Sequence, residues 1–127
     1  MAAYAKQHCD VIGTAELAEL IASGADMMIL DARPDRWQDG RCIPGARRAG
    51  PELTDRELEA LIGAKDRTVV VYGARFSQFR CAALLDRLER LGYGDVREYS
   101  DGFEAWRAWG APVAKGRFAA GKGEPRG

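Results

Sequence analysis

Thr68-Val69-Val70-Val71-Tyr72, followed by Gly73-Ala74-Arg75-Phe76-Ser77-Gln78-Phe79-Arg80, reads as a strand that runs into a loop and then into a helix. Thr68 to Val71 are all β-branched, and the run does not alternate between polar and apolar residues. A continuous run of this kind belongs in the interior of a parallel sheet with both faces covered. From Arg80 to Leu91, Ala83, Leu84, Leu88 and Leu91 recur at helical spacing, which predicts a helix that Gly92-Tyr93-Gly94 ends.

The flanking sequence repeats this alternation. Upstream, Asp10-Val11-Ile12 is a first short element, and Thr14 is expected to cap a helix whose stripe is Leu17, Leu20 and Ile21. Gly24 stops that helix, and Met27-Met28-Ile29-Leu30 reads as a buried strand with Asp31 at its C-terminal end. Residues 32–49 have no clean period and are expected to form a long connection around one short strand. Thr54-Asp55-Arg56-Glu57 has the form of a capping box and opens a helix carrying Leu58, Leu61 and Ile62, closed by Gly63. Downstream, Val96-Arg97-Glu98-Tyr99 is a shorter strand, and Ser100-Asp101-Gly102 turns into a helix bearing Phe103, Trp106 and Trp109, with both tryptophans expected in the core. Alternation of this kind means an α/β domain with a mostly parallel sheet flanked by helices. The expected organisation is a lead-in over 1–10, one domain over 11–114 and a flexible C-terminal tail over 115–127.

Composition narrows the function classes. A chain of 127 residues, 46% hydrophobic and 30% charged, has the makings of one ordinary globular core. Lys+Arg and Asp+Glu both number 19, so bulk attraction to nucleic acid or to a membrane surface has no support. The balance hides a local excess, because Arg33 to Arg48 contains five Arg against two Asp. Cys9, Cys42 and Cys81 are odd in number and far apart, and His8 is the only histidine, so neither a disulfide framework nor a zinc site is expected. No apolar run approaches the ~20 residues of a membrane span. A cytoplasmic protein with no cofactor and no metal is the expectation.

Ligands of open α/β sheets sit outside the C-terminal ends of the strands. That rule points to Ala74 through Arg80, where backbone amides and a helix N-terminus can cradle an anion. Arg75, Phe76, Ser77, Gln78, Phe79 and Arg80 are the candidate anion-binding residues. Arg80 opposes the helix dipole at its position, which gives a cation there a reason to reach for an oxyanion, although it can equally point to solvent. A nucleophile would be useful at the start of this loop, but Gly73 and Ala74 carry none. Ser77 has no evident base. Cys81, in the first helical turn, is either a small core residue or a thiol activated by the helix terminus, and Cys42 lies in the irregular segment near the same strand ends.

At these residues the chain resembles the rhodanese-like superfamily. Asp31-Ala32-Arg33 is similar to the family's Asp-x-Arg. Gly40-Arg41-Cys42-Ile43-Pro44-Gly45-Ala46 resembles its Gly-His-Ile-Pro-Gly-Ala signature, with Cys42 at the place of the usual His and one extra residue before it. Val69-Val70-Val71-Tyr72 leads to the active-site loop. Leu91-Gly92-Tyr93, Val96, Asp101-Gly102-Phe103-Glu104-Ala105-Trp106 and Ala111-Pro112-Val113 continue the pattern. The resemblance implies a rhodanese-like three-layer domain. It also implies a loop whose first residue is a Cys that carries sulfur from donors such as thiosulfate.

Here Ala74 holds that place, or Gly73 if the loop is aligned from Tyr72. Counted back from Arg80, the loop has the longer spacing of the superfamily's phosphatase and arsenate-reductase branch. The resemblance further implies that Asp31 and Arg33 support the loop from below, with Arg33 orienting loop carbonyls or pairing with an acid. Two functional expectations follow. One is a non-catalytic domain binding a small oxyanion or a protein partner through 74–80. The alternative is a sulfurtransferase or related thiol enzyme using Cys81 or Cys42, its thiolate favoured by Arg33, Arg41, Arg47 and Arg75. A third expectation makes the chain an interaction protein with Trp106, Trp109 and Phe118 on a contact face.

Overall fold

The computed structural model describes residues 10–34, 38–74 and 78–115, with the backbone alone for residues 78–80. Five strands form the main sheet: β1 (Asp10–Val11), β2 (Met27–Asp31), β4 (Ala46–Arg48), β5 (Thr68–Tyr72) and β6 (Asp95–Tyr99). Their order is β1-β6-β5-β2-β4, and every pairing is parallel. A separate two-stranded antiparallel ribbon joins β3 (Arg41–Cys42) to β7 (Ala114–Lys115). Four helices connect the strands: α1 (Thr14–Ala22), α2 (Asp55–Ile62), α3 (Gln78–Arg90) and α4 (Gly102–Trp109).

The unbroken apolar run of β5 explains its central place. Alternate side chains of a strand point to opposite faces. Val70 and Tyr72 enter one core with Ile12, Leu17, Ile29, Cys42, Phe103 and Trp106. Val69 and Val71 enter a second core with Leu30, Leu58, Ile62, Cys81, Leu84 and Leu88. Helices α1 and α4 therefore cover one face of the sheet and α2 and α3 the other, which makes the three layers.

Local chemistry places most element ends. Thr54 and Glu57 form the expected capping box: the Glu57 amide donates to Thr54 Oγ1 at 3.0 Å, and the Thr54 amide donates to Glu57 Oε1 at 2.8 Å. Thr14 does not cap α1. It is the first helical residue, and its hydroxyl shares a 2.6 Å hydrogen bond with the Tyr99 hydroxyl, so a tertiary partner takes the oxygen that a cap would have used. Residues 32–49 hold two short strands instead of one, because Ile43-Pro44-Gly45 separates β3 from β4. Helix α3 begins at Gln78, two residues earlier than the periodicity indicates, since its first turn carries no apolar stripe. Lys115 pairs with Arg41 and Asp10 with Arg97, so the described strands include one residue on the outer side of each expected domain limit. Trp106 is fully buried, whereas Trp109, in the last turn of α4, is 57% exposed and is not a core residue. Residues 1–9 and 116–127, with His8, Cys9 and Phe118 among them, lie outside the described residues. No described helix is long and apolar enough to cross a membrane.

Candidate functional site at the C-terminal end of the central strand

Asp31 ends β2 and Tyr72 ends β5, and the parallel register sets them side by side. The Tyr72 hydroxyl donates to Asp31 Oδ2 at 2.8 Å and accepts the Ile43 amide at 3.2 Å. Arg33 closes the group from the loop after β2. Its Nε donates to Asp31 Oδ1 and Oδ2 at 3.0 and 3.1 Å, its Nη2 donates to Oδ2 at 2.8 Å, and its own amide donates to Oδ1 at 3.0 Å. Asp31 and Arg33 are 1% and 5% exposed, so this is a buried ion pair with its hydrogen-bonding groups engaged. Burial works against the Arg33 charge, but the hydrogen bond and the charge of Asp31 outweigh it and hold the guanidinium pKa above its usual value. The Arg33 guanidinium lies 4.2 Å from the centre of the Phe103 ring.

Arg33 pairs with an acid, and its Nη2 donates to the Arg41 carbonyl at 2.6 Å. That carbonyl belongs to β3 and not to the loop after β5, and the bond ties β3 to the strand end. Gln38 completes the group, donating through Nε2 to the Arg33 carbonyl at 3.1 Å.

Helix α4 holds the first residues of the loop. The Phe103 amide donates to the Gly73 carbonyl at 2.9 Å. Gly102, at φ +84°, lies so close to the loop that a Cβ on it would stand 1.9 Å from the Ala74 carbonyl oxygen. Only a glycine permits that approach. Gly102 and Phe103 as loop supports, and the Tyr72 hydroxyl, are not among the residues expected from the sequence. The available signals were a glycine opening a helix and a lone hydroxyl at the end of a valine run.

Ala74, at the place of the family nucleophile, is 6% exposed. Gly73 and Ala74 offer no nucleophilic side chain. Arg75, Phe76 and Ser77 lie outside the described residues, as do the side chains of Gln78, Phe79 and Arg80.

The two described cysteines are not brought together. Cys42 is fully buried in the core of α1 and α4, and Cys81 is 5% exposed in the core of α2 and α3. The sheet lies between the two cores. The expectation that neighbouring arginines favour a thiolate fails at Cys42. Burial and the Asp31 charge push its pKa up to about 11, and Arg33 offsets this only in part.

A parallel five-stranded sheet between two helical layers, with a buried Asp-x-Arg pair beneath the loop after its central strand, defines a rhodanese-type α/β domain. The family model described as Rhodanese-like domain matches residues 13–108, and the chain belongs to that family. The crystal structure of the Alr3790 protein from Anabaena sp. is 26% identical with a TM-score of 0.70, covering 82% of this chain and 91% of that one. A protein of unknown function from Rhodopseudomonas palustris, described as a possible tyrosine phosphatase, is 27% identical with a TM-score of 0.62, covering 84% of this chain and 85% of that one. The thiosulfate sulfurtransferase of Pseudomonas aeruginosa shares the fold at 21% identity and a TM-score of 0.64, over 89% of this chain and 21% of that longer one. No curated protein matches the chain.

Proposed function

We propose that this chain is a non-catalytic rhodanese-like module that binds an oxyanion, or a protein partner, through the loop 74–80. The observation that carries the reading is Ala74, buried at the end of β5 where the family's sulfur-carrying cysteine belongs. The burial of Cys42 and Cys81 on opposite faces of the sheet favours it over the alternative in which one of them carries sulfur. A nucleophile moved away from the strand end loses the alignment from which most of its rate derives.

The loop length, like that of the phosphatase branch, suits a tetrahedral oxyanion such as sulfate or phosphate. The likeness to the Rhodopseudomonas palustris protein agrees with that choice. Arg80 is the residue assigned to the anion, with Ser77 and the loop amides as donors.

The test is direct. The purified chain is expected to move no sulfur from thiosulfate to cyanide and to turn over no phosphate ester, while sulfate or phosphate raises its melting temperature. Arg80→Ala is expected to remove the anion effect. Turnover that disappears in Arg80→Ala, or one added sulfur on Cys81 or Cys42 by mass spectrometry after thiosulfate treatment, overturns the reading.

A further inference from the structure

The β3–β7 ribbon carries an arrangement that its own stability does not explain. Arg41 and Lys115 are directly opposed in its antiparallel register, and both are exposed. Residues opposed in this way project from the same face with Cβ atoms about 4.5–5.5 Å apart, and like charges so placed are destabilising. The opposite face of the ribbon is apolar, with Cys42 buried and Ala114 packed against the same core. Neither cationic side chain makes an ion pair or a side-chain hydrogen bond among the described residues. The nearest acid in sequence, Asp39, accepts the Arg41 amide at 3.1 Å through Oδ1 and does not pair with the guanidinium.

The backbone beneath this pair is fixed. The Arg41 carbonyl is held by buried Arg33, and its amide by Asp39. Arg33 in turn lies against Phe103, whose amide holds Gly73, so these contacts link the ribbon to the start of the loop after β5. Two exposed cations with no ion-pair partner among the described residues, on a fixed backbone, make a surface complementary to negative charge. With a formal net charge of zero, the chain supplies no general attraction to polyanions, so the complementarity is local.

We propose that Arg41 and Lys115 form a docking clamp for an acidic segment of a partner protein. The clamp goes beyond the loop reading and does not rest on it. The partner's carboxylates take a counter-charge position that no described residue fills, and the cross-strand repulsion is relieved on binding.

The probe is a fluorescein-labelled decaglutamate peptide, titrated by anisotropy against the full chain. The unsubstituted chain is expected to bind it, and Arg41→Glu to weaken binding by about tenfold or more. Arg41→Glu also places a carboxylate opposite Lys115, so its melting temperature is expected to be unchanged or higher while its binding falls. Lys115→Glu is the second variant and is expected to behave in the same way. Arg56→Glu reverses an exposed cation on α2, on the other side of the sheet, and is expected to bind as well as the unsubstituted chain. The proposal is overturned if the chain does not bind the peptide, or if both ribbon variants bind it undiminished. Equal losses in Arg56→Glu and the ribbon variants also overturn it, because binding is then diffuse.

Discussion

Asp31 receives hydrogen bonds from the side chains of Arg33, Tyr72 and Gln38. A buried ion pair adds little net stability compared with an apolar pair, but breaking one half leaves a charge stranded in low dielectric. Asp31→Ala would leave Arg33 buried against the Phe103 ring without its chief counter-charge, and would remove the acceptor of the Tyr72 hydroxyl. The expected loss of stability is about 3–5 kcal/mol in urea denaturation. A loss under about 1 kcal/mol would mean that Arg33 escapes to solvent and that the pair does not support the strand end. Arg33→Lys is not a conservative change here, since one ammonium cannot reach both carboxylate oxygens and the Arg41 carbonyl together.

At the level of elements, α4 and β5 meet where Gly102 touches the backbone of Ala74. Gly102→Ala puts a methyl group 1.9 Å from the Ala74 carbonyl oxygen at a backbone angle that a side chain disfavours. The obstacle is backbone, so α4 or the start of the loop must move. The variant is expected to lose about 2–4 kcal/mol in urea. It is also expected to weaken the anion-induced rise in melting temperature, whereas Gly110→Ala, at the far end of α4, leaves that rise intact. An undiminished anion effect in Gly102→Ala would show that this contact does not position the loop.

The same elements show what could be read from the chain. The capping box of α2 and the run of β5 carry their signal in consecutive residues, and both are found as expected. Thr14, the second strand after Gly40 and the two-residue β7 depend on partners distant in sequence, such as Tyr99, Ile29 and Arg41. A one-dimensional pattern does not contain those partners. The site divides in the same way: Asp31, Arg33 and Ala74 were legible from local motifs, and Gly102 acts only through a contact that the fold creates.

Across the whole molecule, one sheet separates two hydrophobic cores, and each core holds one cysteine. That separation follows from β5, whose alternate residues feed the two sides, and it makes the cysteines reporters of the two halves. Native alkylation requires exposure and ionisation, and Cys42 lacks both, being fully buried with its pKa pushed up to about 11. If the two cores open together, labelling of either thiol reports the global unfolding equilibrium. The measurement is iodoacetamide labelling across a urea series, on one variant keeping only Cys42 and another keeping only Cys81. Opening free energies from the two, referred to each thiol's intrinsic labelling rate, are expected to agree within about 0.5 kcal/mol of each other and of global unfolding. Labelling of Cys81 with a far smaller opening free energy, insensitive to urea, would show that the first turn of α3 opens alone. A thiol reached in that way is available for chemistry beside the loop, and the sulfur-carrying alternative for Cys81 would then displace the non-catalytic reading.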